Sequence, residues 1–115
     1  MDIAAGDIVL CEFYFSNLKQ SKKRPVLVFK DNLPFEDFIG LPLSSKTEKL
    51  QQDELVIDNS KLPEGVLPVT SKIMLRKPFV VSKNNPQKRY GRIGEAYLSE
   101  ILRCYCDYFE CGRQH

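Results

Sequence analysis

Gly94-Glu95-Ala96-Tyr97-Leu98-Ser99-Glu100-Ile101-Leu102-Arg103-Cys104-Tyr105-Cys106-Asp107-Tyr108-Phe109 changes the period of the chain and decides its architecture. Tyr97, Leu98, Ile101, Leu102, Tyr105, Tyr108 and Phe109 recur at three and four residues, so one face of a helix is apolar. Gly94 suits the N-cap, Glu95 the first turn and Gly112 the terminator, which predicts a helix over about 95–110. Upstream of it the pattern is that of short strands with no helix between them. A doubly wound parallel sheet needs crossover helices, so that class is excluded.

Ile8-Val9-Leu10-Cys11-Glu12-Phe13-Tyr14-Phe15 is rich in β-branched and aromatic residues and follows Gly6-Asp7, as a first strand would. Arg24-Pro25 opens a second, Val26-Leu27-Val28-Phe29, with the proline where its missing N–H costs least. Phe38 to Leu43 is a third, which Gly40 and Pro42 mark as bent, bulged or at an edge. Glu54-Leu55-Val56-Ile57 is a short fourth. Ser71 to Lys77 is a fifth, running on towards Phe79-Val80-Val81, so strands are expected within about 7–81. The polar stretches 16–23, 44–52 and 82–94 read as loops. The expectation is a mainly β fold: a small, strongly bent sheet or barrel carrying one C-terminal helix, as a single domain over 1–115.

The 115 residues are 43% hydrophobic, enough for a real core. No apolar run would span a bilayer, and the first residues lack the basic and apolar regions of a signal peptide, so a cytoplasmic protein is expected. A net charge of +2 does not argue for nucleic acid, but its distribution is uneven. Lys19, Lys22, Lys23 and Arg24 cluster, as do Lys72, Arg76 and Lys77, and Lys88, Arg89 and Arg92. Cys11, Cys104, Cys106 and Cys111 are expected as free thiols. Cys104, Cys106, Cys111 and His115 match no standard zinc spacing, and Cys104 and Cys106 point about 200° apart on a helix, so no metal site is expected.

Several ordered segments resemble the MazF/PemK (Kid-like) toxins. They are Gly6-Asp7-Ile8-Val9-Leu10, Phe13-Tyr14-Phe15-Ser16-Asn17-Leu18, Lys23-Arg24-Pro25-Val26-Leu27-Val28, Phe38-Ile39 through Leu43-Ser44-Ser45, Ser71-Lys72-Ile73 and Gly91-Arg92-Ile93. The resemblance implies an SH3-like barrel and usually a homodimer. It implies the toxin of a type II toxin–antitoxin system, a ribosome-independent endoribonuclease that cuts single-stranded RNA without a metal or other cofactor and leaves a 2′,3′-cyclic phosphate. A cognate antitoxin would lay a peptide across the RNA groove, and operator DNA would be met only through the antitoxin complex.

Such cleavage needs a group to take the 2′ proton, a group to protonate the departing 5′ oxygen, and fixed donors for the phosphoryl charge. Arg24 matches the family's Arg-Pro arginine and would fork onto phosphate oxygens; its alternative is a structural ion pair at a strand edge. Ser44 stands where the family places a threonine or serine after a strand and would donate to a phosphoryl oxygen; its alternative is a plain turn. Lys19, Lys22, Lys23, Ser45, Lys46 and Arg76 are the expected RNA-binding residues. Phe13, Tyr14, Phe15 and Phe35 would stack bases only if exposed. Two departures stand out. Some relatives carry an arginine and, two residues on, an acid on the fifth strand, where this chain has Met74 and Arg76; some carry a histidine in the first loop, where it has Gln20 and Ser21. That leaves two rival readings. One is a non-catalytic RNA- or antitoxin-binding module on the same fold. The other is an unrelated small barrel for protein contacts, which gains if Arg24 and Ser44 lie on opposite faces.

Overall fold

The computed structural model describes residues 1–14 and 20–113. Among these residues eight strands, with short 3₁₀ turns at Pro34–Glu36 and Asn59–Lys61, precede one α-helix: β1 Asp7–Tyr14, β2 Ser21–Lys30, β3 Asp37–Ser44, β4 Glu54–Ile57, β5 Glu64–Gly65, β6 Ser71–Met74, β7 Phe79–Ser82, β8 Lys88–Arg92 and α1 Glu95–Tyr108. They form one antiparallel sheet in the order β4-β6-β3-β2-β1-β8-β5, with β7 also paired to β3. The sheet curls into a half-barrel with α1 as its one α-helix among the described residues.

Alternation along β1 and β2 makes both faces of the curl apolar. Ile8 and Leu27 point to one core, with Leu41, Leu43, Ile57, Ile73, Ile93 and the helix residue Ile101. Val9, Cys11, Val26 and Val28 point to the other, with Ile3, Phe38 and Val81. The helix sits on the first core: Ile101 is fully buried, Tyr97, Leu98 and Tyr105 pack beside it, and the Phe29 and Tyr105 rings lie 5.0 Å apart.

The third strand is central, flanked by β2 on one edge and by β7 and β6 in succession on the other. Asp37 to Gly40 face β7, Leu43 and Ser44 face β6, and Pro42 falls at the change of partner, where no N–H is asked for on that edge. The fifth predicted strand is in fact two. Its second part leaves β6 at Met74, because the Asp53 carboxylate takes the Arg76 N–H (3.1 Å) and guanidinium, and returns as β7 after Pro78. Residues 88–92, expected as loop, are β8, which pairs with β1. The helix ends two residues early, at Tyr108, and Glu110 rather than Gly112 takes the left-handed conformation beyond it (φ 57°).

Candidate functional site

Two kinds of cation are sorted by this fold. The first kind is consumed by the scaffold. Buried Asp7 holds Arg89 (3.0 Å) and Arg92 (3.1 Å), tying β1 to β8. Buried Glu54 and Asp53 hold Lys72 (2.9 Å) and Arg76 (3.1 and 2.8 Å), tying β4 to β6. The Gln51 N–H, then Lys72, and Arg76 hold the Glu54 carboxyl down to about 2. Arg76 is therefore engaged with two carboxylates and lies outside the lining of the groove described next.

The second kind lines a groove of about 760 Å³ at the open end of the β2–β3 ladder. That ladder stops at the Val26–Pro42 pair, and two residues further along each strand stand Arg24 and Ser44. Lys22, Lys23, Arg24, Lys46 and Lys77 line it, with the hydroxyls of Ser44, Ser45, Ser71 and Tyr90. Among the described residues none of these five cations is in an ion pair. Leu10, Pro25, Pro42, Leu43, Leu67, Pro68, Val69 and Met74 supply the apolar wall. No carboxylate and no imidazole is among the described lining residues. Positive charge gathered on one concave face, without ion pairs among the described residues, favours a polyanion.

Arg24 sits opposite Cys11 of β1 and directly before Pro25, so its backbone is held by a ladder while its side chain is exposed. Ser44 Oγ accepts the Lys46 N–H (3.2 Å). One lone pair is thus used and the hydroxyl proton is left to point elsewhere. Ser71 differs: its hydroxyl donates to the Val69 carbonyl (2.9 Å).

Six expected residues, Arg24, Ser44, Lys22, Lys23, Ser45 and Lys46, meet in this one groove. Lys19, Phe15 and His115 lie outside the described residues. Of the aromatics, Phe13 packs edge-on against Phe79 (5.4 Å) and Tyr14 is exposed. Phe35 is 91% exposed but does not line the groove. Lys77, Met74 and Tyr90 were not singled out as site residues from the sequence. Tyr90 arrives through a β-bulge: Ile8 pairs with Gly91 and Val9 with Arg89, which leaves Tyr90 as the extra residue and turns it into the groove. Lys88 Nζ lies 5.1 Å from its ring centre. Gly65 (φ 85°) and Gly91 permit the close backbone approach of β5 to β8 beside it.

A curled antiparallel half-barrel with a late helix and a cationic groove at one strand end defines a class of small toxin folds. The chain belongs to the PemK-like, MazF-like toxins of type II toxin–antitoxin systems, whose family model matches residues 4–109. Solved structures agree in fold. The MazE–MazF complex from Deinococcus radiodurans (form II) superposes with a TM-score of 0.75 at 14% identity, over 94% of this chain and 96% of that one. An endoribonuclease in complex with its cognate antitoxin from a mycobacterial species gives 0.72 at 13%, over 95% and 96%. The Mycobacterium tuberculosis toxin MazF-mt6 gives 0.64 at 13%, over 89% and 96%. No curated protein sequence matches the chain.

Proposed function

We propose that this toxin is a sequence-specific endoribonuclease that cuts single-stranded RNA in the Arg24–Ser44 groove by attack of the 2′-OH on the neighbouring phosphorus. The carrying observation is that the groove gathers five cations unpaired among the described residues, whereas the scaffold cations are neutralised. Arg24 forks onto the phosphoryl oxygens and stabilises the charge that builds as the 2′ oxygen bonds to phosphorus and the 5′ oxygen departs. Ser44 donates its free proton to the same phosphoryl group. Lys22, Lys23, Lys46 and Lys77 hold the flanking phosphates, and Tyr90 offers a face for a base. The family resemblance adds a 2′,3′-cyclic phosphate product, independence from metal, a homodimer acting in the cytoplasm, growth arrest on expression, and an acidic antitoxin that covers the groove and alone mediates contact with operator DNA.

The test is cleavage of a long single-stranded RNA in EDTA. Wild type is expected to yield discrete cyclic-phosphate fragments and Arg24→Ala to be slower by about 10²- to 10³-fold. Equal cutting by the variant would refute the role of Arg24, and no cutting at any sequence would refute the activity. A second reading, a module that grips RNA or an antitoxin without cutting, is favoured by the absence of carboxylate and imidazole among the described groove residues. Salt-sensitive binding of RNA that stays intact would select it.

A further inference from the structure

The C-terminus of α1 brings two thiols together for a reason written in its backbone. Glu110 adopts φ 57°, its N–H donates to the Asp107 carbonyl (3.3 Å), and the Cys111 N–H donates to the Cys106 carbonyl (2.9 Å). These two reversed bonds are the Schellman closure of a helix, which folds the chain back so that the side chain after the turn meets the one in the last helical turn. In most helices that meeting is an apolar contact. Here the two side chains are Cys106, half-buried, and Cys111, exposed, both free thiols lining the same cleft. They lie in an open cleft with Asp107, Glu110, Gly112 and Arg113. Cys11 is instead sealed in the core, and burial pushes its thiol up to about 11. Cys104 packs against the helix-side core.

We propose that Cys106 and Cys111 form a redox couple, oxidised by hydroperoxides to an intramolecular disulfide that locks the last turn of α1. The exposed Cys111 is the first nucleophile. Its thiolate attacks one oxygen of the peroxide, the O–O bond breaks, an alcohol or water leaves with a proton, and Cys111 becomes a sulfenic acid. The Cys106 sulfur then attacks the Cys111 sulfur, the S–O bond breaks, and the hydroxyl leaves as water with the Cys106 proton. Two thiols lose two electrons in all and the peroxide gains them. The neighbouring Cys111, then burial and the nearby Asp107, push the Cys106 thiol up, in keeping with the exposed Cys111 reacting first. Reversal requires a dithiol. No part of this device involves the groove, so it stands apart from the proposed RNA chemistry.

The full reduced chain is treated with one equivalent of hydrogen peroxide, alkylated under denaturing conditions, and digested with chymotrypsin, which cuts after Tyr108 and Phe109 between the two cysteines. The expected result is a disulfide-linked peptide pair containing Cys106 and Cys111, at monomer mass and cleaved by a dithiol, with Cys11 and Cys104 alkylated. Cys104→Ser keeps the link and Cys106→Ser abolishes it. In the wild-type chain, hydrogen exchange of the amides in 107–113 should slow roughly tenfold on oxidation while the sheet is unchanged. Recovery of both cysteines as free thiols or sulfinic acids would overturn the proposal. So would a link through Cys104, a link between two chains, or an oxidised form with unaltered exchange.

Discussion

At Arg24 the shape of the cation matters as much as its charge. A guanidinium presents a planar fork, and the β1–β2 ladder with the following proline fixes where that fork starts. Arg24→Lys keeps the charge and loses the fork. It is expected to bind RNA nearly as well as wild type and to cut it about a hundredfold more slowly, read by single-turnover cleavage beside a binding titration. Ser44→Ala removes a proton donor already aligned by the Lys46 N–H and should slow the same step by about tenfold to a hundredfold. Both residues are marked in the sequence by the family resemblance rather than by pattern alone, and the fold brings them to one groove, although Arg24 lies inside β2 and not at the strand start expected of it. Tyr90 is not so marked, since its entry depends on a bulge that appears only once β8 is paired to β1. Arg76 looked like a groove cation; the carboxylates of Asp53 and Glu54, distant by more than twenty positions, hold it instead.

Among the elements, β4 and α1 were the most legible: β4 runs over the expected residues, and the helix starts where Gly94 and Glu95 put it. The apolar residues of α1 repeat at the helical period, and β4 is a short run of β-branched and aliphatic residues bounded by polar ones. Strand β8 carries no sign in the sequence, because Lys88, Arg89 and Arg92 offer no apolar alternation; Asp7 and Glu64 neutralise two of them across the sheet. The run from 71 to 81 is strand-prone on either side of Pro78, and the break falls where Asp53 holds Arg76 and the Lys77 N–H turns back to the Met74 carbonyl. The β5–β8 pair also yields a sharp expectation. A Cβ on Gly91 would strike the Glu64 carbonyl and the Gly65 backbone. Gly91→Ala should destabilise the fold by about 2 kcal/mol or more in chemical denaturation and weaken RNA binding through the displaced Tyr90.

Over the whole molecule, a net charge of +2 conceals a division of labour. Buried carboxylates are spent on β1–β8 and β4–β6, and cations remain for the groove. Neutralising three to five phosphates should make log K for single-stranded RNA fall against log salt with a slope of roughly −2 to −3.5, measured by fluorescence titration. The scaffold pairs titrate separately. With its folded pKa held down to about 2 from an ordinary 4.5, Glu54 stabilises the fold above about pH 4.5 and loses that contribution as pH falls towards 2. Glu54→Gln should therefore be less stable than wild type at pH 7, with the gap in denaturation midpoint closing as the solution is acidified. A gap that stays open at low pH would show that the carboxylate is not what holds β4 to β6.

Both ends of the main strand path are poor templates for an incoming chain. At one end β5 is two residues long. At the other, the Tyr97 phenol donates to the Val56 carbonyl of β4 (2.6 Å) and occupies an acceptor that a docking strand would use. Burial pushes that phenol up to about 12, so it keeps its proton throughout the physiological range. Blunted edges of this kind discourage strand-to-strand pairing between copies of the chain.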